Sequence, residues 1–307
     1  MTESSHPAPL PEGFAVRAEM LLRASAETDS GLSVYFFDGL LEWIEWANQG
    51  YESDPTACVW LGGLRWWRAQ RGTLPDGAPP VPPRWIDEQS VLETVFGGDA
   101  ERNLRALDSD QMPTLRDPAH PGDDGPRALS RSAIYALVPG LEDHLIVSLA
   151  RQGAALTQGE PAAWEASCAA AVIIADLLYS AHDGDSTDAL VHAVHRAVDV
   201  LEAEPAAPVR ALLTTALEKA QTTSDLDAVA WPDELVGSSA PVVLAAAAYA
   251  SAVGEERLED HPEEPESVSV LVRQLRAARG REPIIVEGPA APDLVSVAVE
   301  RWVASIT

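Results

Sequence analysis

Residues 35–87 decide the fold of this chain, and they read YFFDGLLEWIEWANQGYESDPTACVWLGGLRWWRAQRGTLPDGAPPVPPRWID. Apolar residues at helical spacing open the stretch and predict a helix over 31–48, with one apolar face. That face is formed by Leu32, Phe36, Leu40, Trp43 and Ala47. Asn48 and Gly50 supply the stop signal that ends the helix.

A second helix follows within the same stretch. Either Ser53 or Asp54 is expected to cap it. Pro55 then takes the first helical position, and the pattern runs to about Gln70. This helix is apolar nearly all round, which predicts a central place in the core. Residues 73–83 are rich in proline and glycine and indicate an ordered loop.

Helical patterns fill most of the remaining chain. They cover 14–26, 88–96, 99–107, 141–157, a helix starting at Pro161, a helix capped by Ser186, 207–220, 239–253, 265–279 and 292–305. EPIIVE at 282–287 is the one strand that the pattern indicates, and 108–126 indicates a loop inside a domain. We therefore predict an all-α, single compact multi-helix domain over 14–307 after a flexible tail at 1–13, although the length alone would allow two domains.

The chain is strongly acidic, with a formal net charge of −27 and a pI near 4.4. Such a surface repels phosphate backbones, so neither nucleic acid nor an anionic membrane is expected as a partner. The charge is typical of a soluble protein, and it also suits a basic protein partner. Cys58 and Cys168 are expected to be buried small hydrophobes. The apolar run at 241–253 is too short to span a bilayer, and without a signal-peptide pattern the expected location is the cytoplasm.

Three segments of the opening stretch carry a resemblance to a known family. DGLLEWIEWANQG (38–50), ACVWLGGLRWWRAQ (57–70) and LPDGAPPVPPRWID (74–87) resemble bacterial members of the ADP-ribosylglycohydrolases related to dinitrogenase-reductase-activating glycohydrolase. The resemblance implies the all-α ADP-ribosylglycohydrolase fold. In active relatives it also implies two divalent cations, Mg or Mn, that activate water to release ADP-ribose from a modified side chain.

Both metal motifs that the resemblance implies are damaged in this chain. The family's Thr-Asp-Asp-Thr matches Thr28-Asp29-Ser30-Gly31, which leaves Thr28 and Asp29 as vestigial metal ligands and Asp29 as a vestigial catalytic residue. One aspartate cannot hold a binuclear centre, and a cap for the helix at 31–48 is the competing interpretation. The family's Gly-Asp-Ser-Asp-Ser-Thr-Gly matches a stretch starting at Gly288, with Pro289 and Ala291 in place of the carboxylates. Asp293 is then expected to cap the last helix.

The phosphate-approaching motif Gly-x-Gly-x-x-Met-Arg is also altered. Gly125, Arg127, Arg131 and Ser132 are the substrate-binding residues that the resemblance implies. Arg127 replaces the second glycine, and the preceding Pro126 has no N–H to offer. Arg127 is then either a phosphate ligand or a plain surface arginine.

Other matches to the family are weaker. ALTQGEP at 155–161 resembles Ala-Leu-Thr-His-Gly-His-Pro, with Gln158 and Glu160 in place of the histidines. The glycine- and alanine-rich opening helix of the family, with its Gly-Asp-Ala-Leu-Gly, is not evident here. HDGDSTD at 182–188 imitates the second metal motif, but it falls more than 100 residues too early and indicates a loop that ends in a helix cap.

These features predict a catalytically inactive homologue, or pseudoenzyme, that binds a protein or a nucleotide-like ligand such as ADP-ribose. No cofactor is expected, unless the site is retained and holds Mg or Mn. One alternative is a divergent hydrolase that uses Asp29 with carboxylates of the central loop, such as Asp110, Asp123 or Asp124. A second alternative is a subunit whose acidic surface docks a basic protein.

Overall fold

Helices dominate the computed structural model, which describes residues 10–88, 98, 100–180, 187–202, 204–223, 229–280 and 293–307. Within these ranges there are thirteen α-helices, a few 3-10 turns and no strand. The helices are α1 (Phe14–Ala26), α2 (Leu32–Asn48), α3 (Pro55–Arg71), α4 (Trp85–Glu88), α5 (Ala100–Leu107), α6 (Ala133–Ala136), α7 (Asp143–Ala155), α8 (Pro161–Tyr179), α9 (Thr187–Val200), α10 (Ala207–Thr222), α11 (Ala240–Val253), α12 (Pro265–Ala278) and α13 (Leu294–Ile306). The predicted all-α, single-domain fold is confirmed.

The start of α3 follows local capping chemistry. Asp54, rather than Ser53, caps α3, because its side chain accepts the backbone N–H groups of Thr56 and Ala57. Two short helices, α4 and α6, were not predicted, since four residues are too few to show a period. Some predictions lie outside the described residues. They are the strand over 282–287, the Ser186 cap, the tail up to residue 9, and the helix over 88–96 apart from its first residue.

Helices α2 and α3 cross at very short range through glycines. A Cβ atom added at Gly39 would lie 2.4 Å from the carbonyl oxygen of Cys58, and one added at Gly62 would lie 2.2 Å from that of Tyr35. Both distances are far below van der Waals contact. The glycines inside the fold-deciding stretch therefore allow the two helix backbones to touch.

A buried cluster of charged side chains joins α2 and α3 to Arg84 and Trp85, which follow them in the chain. Asp38 on α2 accepts two hydrogen bonds from Arg84, at 2.8 and 2.9 Å, and one from the indole N–H of Trp85 at 2.7 Å. Arg65 of α3 lies 2.9 Å from Glu42, an ion pair whose atoms are not aligned as a hydrogen bond. These arginines and carboxylates, which belong to the three segments that resemble the family, therefore stabilise the fold.

Helix α8 is the centre of the fold and packs against α6, α7, α9, α11 and α12. By length and hydropathy it could cross a membrane, yet 89% of its most apolar window is buried inside the protein, as expected of a core helix. Cys168 on this helix and Cys58 on α3 are both free thiols and buried, as predicted.

The loop at 108–126 is irregular but hydrogen-bonded to the end of α7 and the start of α11. The backbone N–H of Ala119 donates to the carbonyl of Ala155 at the end of α7. The N–H of Ala240, at the start of α11, donates to the carbonyl of Asp124. These bonds confirm that the segment is a loop within the domain.

Candidate functional site

A cavity of about 230 Å³ brings together two of the segments that the sequence singles out. Thr28 and Asp29 line it from the turn after α1. Pro126, Arg127 and Arg131 line it from the loop before α6. The first metal motif and the phosphate-approaching motif thus share one cavity, although about a hundred residues separate them in sequence.

The turn at 28–31 is held in an unusual backbone conformation. Ser30 and Gly31 both have positive φ, at 57° and 79°. The indole N–H of Trp66 donates to the Ser30 carbonyl at 2.8 Å, and Asp29 pairs with Gly98 in a backbone bridge. A Cβ atom at Gly98 would lie 1.9 Å from the carbonyl oxygen of Thr28, so only glycine fits there. Packing on both sides therefore fixes Asp29 in the cavity wall.

The side chains of Thr28 and Asp29 have different roles in this turn. Asp29 accepts the backbone N–H of Ser33 at 3.0 Å and also faces its hydroxyl, so it stabilises the first turn of α2 as the capping interpretation expects. Thr28 instead donates to the carbonyl of Ser25, at the end of α1. The expectation that Thr28 caps the following helix is wrong, because its hydroxyl faces the preceding one.

Asp29 and Arg131 form a buried ion pair at the base of the cavity. The Arg131 Nη1 atom lies 3.8 Å from Asp29 Oδ2, and neither side chain exposes more than 4% of its surface. Arg131 Nη2 donates to the Thr157 hydroxyl at 2.5 Å, and the guanidinium carbon lies 5.8 Å from the ring centre of Phe36. Within the described part of the chain, Arg131 Nη1 has no acceptor with hydrogen-bond geometry. The pair is therefore close but incompletely satisfied.

Burial dominates the ionisation of this pair. It raises the pKa of the Asp29 carboxyl from 3.8 to about 6, although Arg131 and the bonds from Ser33 act in the opposite direction. Burial likewise lowers the pKa of the Arg131 guanidinium, against the attraction of Asp29. Such perturbed groups in a cavity are typical of functional sites.

The loop that carries Arg127 is braced by Gln158. The Gln158 amide accepts the N–H of Ala128 at 2.7 Å and donates to the carbonyl of Gly125 at 2.5 Å. Gly125 also donates its N–H to Asp123, which pairs with Arg127. The glutamine that replaces a histidine of the family motif thus shapes the loop instead of contacting the cavity.

Two of the predicted substrate-binding residues do not line the cavity. Gly125 supplies backbone bonds to the loop, and the buried Ser132 hydroxyl donates to the carbonyl of Ala128. Arg127 and Arg131 do line the cavity. That these residues bind a substrate stays a prediction for all four.

Sequence reasoning missed the remaining polar wall of the cavity. Arg102 and Asn103 come from α5, and Glu264, Glu266 and Ser267 come from the start of α12. The only signal near α12 is a proline at the first helical position, which marks a helix start and says nothing about a site. No motif could have connected these segments to Asp29.

A binuclear magnesium or manganese centre does not fit the described residues. Hard cations need several oxygen ligands, whereas the oxygens of Asp29 already accept bonds from Ser33 and face the guanidinium of Arg131. A fixed positive charge at 3.8 Å opposes a divalent cation at the same carboxylate. Among the residues with described positions, no group of three or more His, Cys, Asp or Glu side chains could hold a metal ion.

The carboxylates of the central loop do not join Asp29. Asp123 pairs with Arg127, Asp110 packs against Gly77, and none of Asp110, Asp123 and Asp124 lines the cavity. The alternative that uses these carboxylates with Asp29 therefore gains no support from the lining of the cavity.

The other sequence matches fall mostly beyond the described part of the chain. This applies to residues 287–292 of the second metal motif and to residues 182–186 of its imitation. Asp293 is described, and it caps α13 by accepting the N–H groups of Val295 and Ser296, as predicted. It also pairs with Arg23 at 2.5 Å.

Replacing Asp29 with asparagine is expected to change how stability depends on pH. A carboxyl whose pKa is 3.8 when unfolded and about 6 when folded keeps its full contribution below pH 3.8 and loses it as pH rises through 6. The D29N protein does not lose this stability as pH rises, because asparagine does not ionise. Its unfolding free energy relative to the wild type should therefore rise by about 2 kcal/mol between pH 4 and pH 7.

Urea denaturation of both proteins across that pH range measures the difference. The wild type in the same series is the reference, so that other titrating groups cancel. A difference that stays constant from pH 4 to pH 7 would contradict the burial effect on Asp29.

Comparison with known proteins identifies a family. The model of the family described as ADP-ribosylglycohydrolase matches residues 13–274 of the chain. The match includes the turn at 28–31, the loop at 125–132 and the start of α12, so it covers every described segment of the cavity wall. No curated protein matches the chain significantly.

Proposed function

We propose that this chain, which belongs to the ADP-ribosylglycohydrolase family, is a non-hydrolytic member. It binds its ligand in the cavity at Asp29 and Arg131. The observation that carries the proposal is the buried ion pair of these two residues. It stands where the resemblance places the first metal motif, and the described residues around it form no group of three or more metal-ligating side chains.

The chemistry of the family explains why this pair argues against hydrolysis. The metals that the resemblance implies would supply Lewis-acid activation of water. In this chain Asp29 instead stabilises the first turn of α2 and balances the charge of Arg131. These residues can hold a ligand and exclude water, but they provide no set of hard ligands for two cations.

The ligand in this proposal is a small nucleotide-like molecule rather than a protein surface. A cavity wall with three arginines supports a small anionic molecule. At this cavity, a basic protein partner is supported only by the net charge of −27, which is spread over the whole chain.

The purified protein is expected to release no more ADP-ribose from an ADP-ribosylated protein than a blank does, with either Mg or Mn present. ADP-ribose or a fragment of it should bind equally well with metal and with EDTA. An active glycohydrolase run in parallel controls the assay, and calorimetry measures binding. Metal-dependent release of ADP-ribose would overturn the proposal.

One observation favours a second candidate, hydrolysis without a metal. A buried carboxyl whose pKa is raised to about 6 can serve as a general acid near neutral pH. Glu264 and Glu266 line the same cavity and would be the choices for a second carboxylate. Release of ADP-ribose in EDTA that the D29N substitution abolishes would favour this candidate over the first.

A further inference from the structure

An exposed pair of aromatic side chains lies at the end of α2, away from the cavity. Trp46 and Tyr51 are 44% and 63% exposed, and their rings meet edge to face with centres 6.3 Å apart. Within the described part of the chain they are the only exposed large aromatic side chains. Tryptophan and tyrosine are enriched among the residues that dominate protein–protein interfaces. The pair is therefore a candidate interaction surface.

Backbone contacts hold this surface in place. The N–H of Tyr51 donates to the carbonyl of Trp46 at 3.0 Å, so the turn after α2 keeps the two rings together. Asn48 Nδ2 donates to the carbonyl of Ser305 at 2.8 Å, close to the end of α13. The C-terminal ends of α2 and α13 thus meet beside the aromatic pair. Each helix end carries partial negative charge on its last carbonyls, which favours a cation nearby.

The side-chain charges next to the pair are also negative. Glu45 precedes Trp46 in the chain and is bound to Arg84. Glu52 follows Tyr51, is exposed, and forms no hydrogen bond or ion pair with any residue that the structure describes. No described cation lies over either ring, since the cation–π contacts of the structure involve other aromatic residues. The surface thus offers two ring faces and one available carboxylate, and its own chain supplies no cation for them.

The chemistry of these groups selects an arginine. An aromatic face attracts a cation through its quadrupole, and the planar guanidinium of arginine can stack on the ring while its N–H groups bind a carboxylate. The net charge of −27 adds a long-range attraction that speeds the encounter with a basic partner. We propose that the surface formed by Trp46, Tyr51 and Glu52 binds an arginine-containing segment of a basic partner protein. This interaction does not depend on the ligand of the cavity at Asp29.

Fluorescence anisotropy with a labelled Gly-Arg-Gly-Arg-Gly peptide tests the proposal on the full chain. Salt at about 0.15 M screens charges that are more than roughly 8 Å away, so that the local contacts decide. The wild type should bind the peptide, and W46A and Y51A should each bind it more weakly by roughly fivefold, because a cation–π contact is lost. Y51F keeps the ring and should bind like the wild type. E52Q should weaken binding by roughly twofold.

A matched control separates this surface from general attraction to an acidic protein. Leu145 on α7 is 42% exposed, much like Trp46, so L145A removes a comparable exposed apolar side chain elsewhere. The L145A protein should bind the peptide like the wild type. Equal affinities of W46A, L145A and the wild type would show that only the net charge attracts the peptide, and would overturn the proposal.

A second peptide tests the need for a cation. Citrulline has nearly the shape of arginine but no charge, so the Gly-citrulline-Gly-citrulline-Gly peptide should not bind. Binding of both peptides with equal affinity would overturn the cation–π contact. Failure of the wild type to bind the arginine peptide would overturn the proposal as a whole, and the assays of the cavity would be unaffected.

Discussion

Replacing Asp38 with alanine is expected to lower the free energy of unfolding by about 3–5 kcal/mol, the cost of breaking a buried ion pair from one side. Asp38 is fully buried and accepts hydrogen bonds from Arg84 and Trp85. The guanidinium of Arg65, also fully buried, lies 3.9 Å away, and its Nη1 atom has no hydrogen-bond acceptor among the residues that the structure describes. Removal of the Asp38 carboxylate takes away one of the carboxylates that compensate each guanidinium, while Glu45 remains beside Arg84 and Glu42 beside Arg65.

Chemical denaturation of D38A and of a matched variant, E45A, measures this effect. Glu45 binds the same arginine, Arg84, but its side chain is 32% exposed, so water can replace it. The loss for E45A should stay within about 1 kcal/mol, as for most exposed pairs. Equal losses in the two variants would show that burial of Asp38 does not decide the strength of the cluster.

Replacing Gly62 with alanine is expected to cost about 3 kcal/mol or more, at the upper end of the range for overpacked cores. The new Cβ atom would lie 2.2 Å from the carbonyl oxygen of Tyr35, which belongs to the backbone of α2 and cannot rotate away. Helices α2 and α3 would have to separate. The gain in helix propensity from glycine to alanine, about 1 kcal/mol, is too small to offset this.

Gly63, the next residue on α3, provides the control. Its Cβ atom would meet the side chains of Phe36 and Leu107, at 2.8 and 3.2 Å, and side chains can shift. The G63A variant should therefore lose clearly less stability than G62A in the same denaturation experiment. Equal losses would contradict a backbone contact as the cause.

Both substitutions bear on the cavity as well as on the fold. Trp66 of α3 donates to the Ser30 carbonyl in the turn that carries Asp29. Ser33, on α2, binds the Asp29 carboxylate. A change in how α2 meets α3 should therefore alter the position of Asp29, so the helix pair acts as a support for the proposed binding site.

Local chemistry explains what could be predicted and where prediction failed. The bounds of α2 and α3 follow from helical spacing and, for α3, from the Asp54 cap and Pro55. These signals act between residues that are close in sequence. Thr28 was misassigned because a hydroxyl can bond to the helix before it or to the helix after it. Gln158 looked like a damaged binding residue. Its amide instead bonds to the backbone of Ala128 and Gly125, which are 30 and 33 residues away in sequence, and so supports their loop.

The sequence by itself determined the longer helices and the family, because each of these depends on residues that are neighbours in the chain. Only the tertiary structure decided that Asp29 pairs with Arg131, and that α5 and α12 complete the same cavity. The physical reason is burial. The pKa of Asp29 and the unsatisfied donor of Arg131 depend on which distant segments exclude water from them, and no local pattern records that.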